Sequence, residues 1–136
     1  MRRVIVDANI AFRALARSRG DLRARLDPAE DLRFIAPRFL FVELFKHKDR
    51  IVRASGTPEE VVLESLHALV ASLEFADEAA IPVGTWIEAR RLCAPTDPKD
   101  TPYIALALHL DAELWSEDME LKTGLRAWNF TRFFVP

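Results

Sequence analysis

Cys93 is the only cysteine in the 136-residue chain. No internal disulfide can form, which fits a reducing compartment. Beside Leu92 in an apolar helical stretch, this lone thiol reads as a small buried side chain. Histidine is scarce too. His47, His67 and His109 are scattered and follow no metal-ligand spacing, so a zinc site is not indicated. Only four glycines occur, and none builds a Walker loop, a GxGxxG turn or a GxSxG elbow. Long apolar runs are missing as well. Met1-Arg2-Arg3-Val4-Ile5-Val6-Asp7 offers three apolar residues before a charge, where a secretory signal needs roughly 7–15. No stretch approaches the ~18 residues of a membrane span. The expectation is a protein of the cytoplasm with no membrane partner.

The residues that are present suit one domain over 1–136. Half are hydrophobic, enough for a core without staples. Net charge is only −2, but it is unevenly spread. Residues 1–53 carry 13 Lys/Arg against 7 Asp/Glu, a balance of +6, and residues 54–136 carry 6 against 14, a balance of −8. One basic face and one acidic face or site would produce this; so would a solvated charge pattern with no partner.

Short β-branched runs alternate with helical patterns. Val4-Ile5-Val6 reads as a buried strand. Ile10 to Leu15 follows as a helix that Gly20 can close. Phe34-Ile35-Ala36, ended by Pro37, is a second strand, and Phe39 to Phe45 an apolar helix. Thr57-Pro58-Glu59-Glu60 reads as a capping box opening a helix to about Ser72. Leu73-Glu74-Phe75 is a further strand. Thr85-Trp86-Ile87-Glu88 is a second capping box, with Pro95 ending its helix. Thr101-Pro102 opens a helix through Leu110. Glu113 to Ser116 and Phe133-Phe134-Val135 complete the strands. Such alternation predicts βαβ units and a parallel sheet covered on both faces, with ligands bound beyond the carboxyl ends of the strands.

Acidic residues collect at that edge. Asp7 and then Asn9 follow the first strand, Ser116-Glu117-Asp118 the 113–116 strand, and Asp97-Pro98-Lys99-Asp100 precedes a helix. If the first and 113–116 strands are neighbours, their ends lie about 5 Å apart and Asp7 and Asp118 can share a cation. Taken singly, each has an ordinary reading: Asp7, Asp100 and Asp118 as helix caps, Asp97 and Asn9 as turn or cap residues. Glu43 sits in Phe39-Leu40-Phe41-Val42-Glu43-Leu44-Phe45. Apolar neighbours almost all round predict a buried helix, where a carboxylate needs a partner or a metal. Arg38, Lys46 or a narrow solvent stripe are the alternatives. Clustered carboxylates favour a hard divalent cation, Mg²⁺ or Mn²⁺, over zinc, and such metals serve phosphodiester hydrolysis. The basic residues Arg2, Arg3, Arg13, Arg17, Arg19, Arg38, Lys46 and Lys48 can attract a phosphate backbone.

Val-Ile-Val-Asp7-Ala-Asn9, an isolated Glu43, the run from Asp97 to Leu108, and Leu114-Trp115-Ser116-Glu117-Asp118 together resemble the PIN-domain family over essentially the whole chain. The Asp97-Pro98-Lys99-Asp100 segment resembles one PIN subgroup; Pro102 departs from the commonest pattern of the toxins. The resemblance implies a three-layer α/β/α sandwich around a parallel sheet. It also implies that Asp7, Glu43, Asp100 and Asp118 are the catalytic metal-site carboxylates, with Asp97 as an extra metal-site acid and Asn9 and Ser116 orienting them. Many small PIN proteins are VapC-like toxins, that is, Mg²⁺- or Mn²⁺-dependent endoribonucleases silenced by a cognate antitoxin and often dimeric. The implied activity is RNA hydrolysis leaving a 5′-phosphate and a 3′-hydroxyl. A processing nuclease without an antitoxin and a non-catalytic PIN-fold binding module are the alternatives. A phosphoacceptor receiver fits less well, lacking adjacent acids after the first strand and a lysine at residues 131–136. A haloacid-dehalogenase-like phosphatase fits poorly too, because Asn9 stands where its second aspartate belongs. Trp86, Trp128, Phe39, Phe41, Phe133 and Phe134 exceed what a small core needs, so some are expected on a dimer or antitoxin surface.

Overall fold

A computed structural model describes residues 2–16 and 31–136. Gly20, Arg17 and Arg19 lie outside the described residues. Strand β1 (Arg2–Val6) leads into helix α1 (Ala8–Ala16). Strand β2 (Leu32–Pro37) is followed by α2 (Phe39–Lys46), α3 (Lys48–Ser55) and α4 (Glu59–Ser72). Strand β3 (Glu74–Ala76), a 3-10 turn at Glu78–Ala80 and α5 (Val83–Cys93) come next. A second 3-10 turn at Pro98–Asp100 precedes α6 (Thr101–Leu110), β4 (Glu113–Trp115) and α7 (Met119–Ala127).

The four strands form one parallel sheet in the order β3-β2-β1-β4. Val4, Ile5 and Val6 are fully buried in its centre, as the unbroken β-branched run requires of a strand covered on both faces. Helices α1, α3 and α4 pack on one another, and α5, α6 and α7 form a second group in which α6 lies across β1, β2 and β4. The result is the expected α/β/α arrangement. Trp115, Phe34 and Phe134 meet at centroid distances of 5.3–6.0 Å and anchor the sheet end nearest β4. Among the described residues, no helix is long and apolar enough to cross a membrane.

Several expectations need correction. Phe133 to Val135 is not a strand; Phe133 makes one parallel bridge to Leu114. Two hydrogen bonds, Leu114 N–H to the Arg132 carbonyl and Phe134 N–H to the Leu114 carbonyl, are its share of the ladder, while the aromatic rings serve the core instead. Neither capping box forms. Thr57 is occupied by Ser55, hydroxyl to hydroxyl at 2.9 Å, and Pro58 takes the cap position without a side-chain bond. Thr85 lies inside α5, which starts two residues earlier after Pro82. Helix α3 has no counterpart in the sequence reading, because only Ile51 of its eight residues is buried.

Helix α2 is not buried all round. Leu40 and Leu44 face inward, whereas Val42 and Phe45 are each 58% exposed. Its free N-terminal amides are met from a distance: the Glu78 carboxylate accepts the Arg38 and Phe39 N–H groups, both at 2.9 Å, satisfying donors that α2 cannot pair itself. Of the six aromatics held in reserve for a surface, Phe134 is buried, and Trp86, Phe39 and Phe133 pack against the core. Phe41 stacks on Phe75. Trp128 alone is substantially exposed, and the Arg91 guanidinium lies over its ring.

Candidate active site

β1 and β4 are adjacent and parallel, with Val6 opposite Trp115. The chain leaves β1 into the α1 layer and β4 into the α7 layer. This is the switch point of the sheet, where a doubly wound fold opens a crevice. Asp7 and Ser116 are the next residues on the two strands, and both are buried. Asp7 N–H still reaches the Trp115 carbonyl at 3.2 Å, which fixes the residue at the strand end. Its Oδ1 accepts the Asn9 N–H at 2.6 Å, starting α1 in the manner of a cap.

Ser116 links two of the acids. Its hydroxyl hydrogen-bonds the Asp7 carboxylate, and its Oγ accepts the Asp118 N–H at 3.1 Å. Asp118 caps α7 by accepting the Leu121 N–H at 3.1 Å. Asp97 accepts the Lys99 N–H at 3.0 Å at the mouth of the 3-10 turn. Asp100 ends that turn and precedes α6, yet its carboxyl makes no capping bond. Capping thus describes Asp7, Asp97 and Asp118 and leaves Asp100 without a local task. Asn9 contributes its backbone N–H to Asp7, and its side chain is exposed.

Glu43 arrives from α2. Leu40, Glu43 and Leu44 share one face at i, i+3 and i+4, so the carboxylate lies on the inward stripe. It is half-buried. Neither Arg38 nor Lys46 holds it: Glu43 Oε1 accepts the Tyr103 hydroxyl at 2.7 Å, and Arg38 approaches Asp77 instead. The sequence reading gave Tyr103 no role. The signal was there: it is the only tyrosine of the chain, in an apolar helix three residues after Asp100.

The acids feel one another. Burial pushes the Asp7 carboxyl above its usual range, Ser116 and Asn9 oppose that by hydrogen bonding, and the charges of Asp118 and Glu43 add to the rise. Asp100 is pushed up to about 7, by burial first and then by Asp7, Asp97, Asp118 and Glu43. Tyr103 is also raised, by burial and then by Glu43. Asp7, Glu43, Asp97, Asp100 and Asp118 therefore share one electrostatic neighbourhood, with Asp97 at its exposed rim. Among the described residues, no Lys or Arg forms an ion pair with any of the five. Arg13, held by Glu117, lines a cleft of about 320 Å³ together with Asn9, Phe12 and Asp118.

Such uncompensated negative charge calls for a cation from solution. The donors are all carboxylate oxygens, the chemistry of a hard divalent ion. Among the described residues, no three His, Cys, Asp or Glu side chains converge closely enough to hold a metal ion between them. The carboxylates are nevertheless near enough to repel one another.

The sequence matches the PIN domain family over residues 5–134. Among curated proteins, none matches. Among solved structures, the fold is similar to a chain in the crystal structure of VapBC2 from Rickettsia felis bound to a DNA fragment from their promoter. The TM-score is 0.70 at 16% identity, covering 89% of this chain and 92% of that one.

Proposed function

Because this chain belongs to the PIN domain family, we propose that it is a divalent-metal-dependent endoribonuclease, a single domain over residues 1–136. The observation that carries this reading is the group of five mutually repelling carboxylates at the sheet's switch point, none of them paired with a cation of the protein among the described residues. Asp7, Glu43, Asp100 and Asp118 would hold Mg²⁺ or Mn²⁺, with Asp97 joining from the rim. When bound, a divalent ion supplies Lewis acidity toward a phosphoryl oxygen and acidifies water. The chain's own residues set the geometry. Ser116 orients Asp7 through its hydroxyl and steadies Asp118 by accepting the Asp118 backbone N–H on the same oxygen. Burial and the neighbouring acids push the Asp100 carboxyl up to about 7, so it would have to ionise to join the others around a cation.

The fold shared with a chain of the VapBC2 complex supports a narrower reading, the toxin of a type II toxin–antitoxin pair acting in the cytoplasm. Exposed Val42 and Phe45 on α2 leave apolar surface of the kind that a homodimer or an antitoxin covers. The test is the chemistry of the ends. With Mn²⁺ the protein yields RNA fragments bearing 5′-phosphate and 3′-hydroxyl. Cutting that persists in chelator, or fragments ending in 2′,3′-cyclic phosphate, overturns the metal-hydrolysis reading.

A further inference from the structure

Tyr103 stands in the first turn of α6 among Ile104, Ala105, Leu106 and Ala107, all buried. It is 2% exposed itself. A phenylalanine would fill the same space, so the hydroxyl needs its own explanation. A buried hydroxyl without a partner costs about 1–3 kcal/mol. Among the described residues, the bond recorded for this one is to Glu43 Oε1, at 2.7 Å and 60 residues away in sequence.

The two partners differ in freedom. Glu43 carries a flexible side chain on a helix that is exposed along much of its length. Tyr103 has two side-chain torsions, both fixed by packing. The bond therefore anchors the mobile group to the rigid one. It also ties α2 to the first turn of α6, directly after Asp100. Oε1 accepts the hydroxyl, and Oε2 is not part of that bond.

We propose that Tyr103 is a positioning residue that holds Glu43 through Oε1 and so presents Oε2 to the metal site. The inference rests on the nuclease reading above. A group that orients a ligand in this way typically contributes a factor of about 10–100 in metal affinity.

The experiment is Mn²⁺ titration by calorimetry of the full chain, wild type and the Tyr103→Phe, Glu43→Gln and double variants, with thermal melts alongside. Tyr103→Phe is expected to weaken Mn²⁺ binding by about 10–100-fold while the metal-free protein stays folded. In the Glu43→Gln background, the same substitution is expected to add little, because its effect passes through Glu43. Unchanged Mn²⁺ affinity in Tyr103→Phe, with or without a lower melting temperature, makes the bond structural and overturns the inference alone. Equal weakening in both backgrounds overturns it as well, since Tyr103 would then act without Glu43. Absence of Mn²⁺ binding in the wild type overturns the nuclease reading and takes the inference with it.

Discussion

Replacing Asp100 by asparagine should stabilise the metal-free protein at neutral and higher pH, although it removes a proposed ligand. The carboxyl is raised from 3.8 to about 7 in the folded chain. Between those values the native state binds a proton that the unfolded state has lost, so stability falls as pH rises across this window. Below about pH 4 both states are protonated and Asp100 contributes no difference. Above about pH 7 the full cost of ionising it in place is present. A rise of that size corresponds to at most about 4 kcal/mol at ~1.4 kcal/mol per pH unit. Solvent reaches the half-buried carboxyl, and screening cuts the figure to about 2 kcal/mol. Asparagine mimics the protonated form. In chelator, urea melts should show Asp100→Asn about 2 kcal/mol more stable than wild type at pH 8 and equal to it at pH 4. In thermal melts the gain at pH 8 is roughly 6 °C. Saturating Mn²⁺ should reverse the order, because the wild type gains more from binding. An asparagine variant that is less stable by the same amount at every pH would refute the reasoning, since Asp100 would then be a favourable structural contact.

Three further substitutions probe what supports the site. Ser116→Ala removes the group shared by Asp7 and Asp118 and should cost about 1–3 kcal/mol in urea melts, with weaker Mn²⁺ binding by calorimetry; wild-type affinity in this variant would leave Ser116 without an orienting role. Trp115→Ala empties the aromatic cluster beneath the strand ends and should cost about 3–5 kcal/mol by the same melts, so a loss below ~1 kcal/mol would contradict the packing described. Gly56 closes α3 at φ +66° with open space around it, so Gly56→Ala should lose about 1–2 kcal/mol through the backbone alone, and a stability gain would contradict the left-handed cap.

The strands were legible because β-branched and aromatic runs, punctuated by proline or charge, fit a sheet covered on both faces. With β1 and β4 adjacent, Asp118 lies near enough for its charge to raise the Asp7 carboxyl. Asp100 was legible only by its place before an apolar helix, and its lack of a capping bond needed coordinates. Glu43 stands out in the sequence because its neighbours are apolar, which predicts a helix buried all round. Its helix is apolar yet half-exposed, and Glu43 is inward because it shares a stripe with Leu40 and Leu44. Tyr103 escaped notice because a buried aromatic in an apolar helix looks like core until its hydroxyl is traced across 60 residues. Helix α3 was missed because one buried isoleucine leaves no periodic signal. The final strand was overread because Phe133 and Phe134 have β-propensity but spend it on packing.

The central claim is that the carboxylate group at the switch point cuts RNA with a divalent ion. The most direct measurement compares wild type and Asp7→Asn on pooled tRNA and rRNA fragments, with Mn²⁺ or Mg²⁺ and with chelator, after circular dichroism has shown both folded. Metal-dependent cleavage by the wild type, lost in chelator and lost in Asp7→Asn, is the predicted result. Cleavage that survives the substitution of Asp7 would contradict the account.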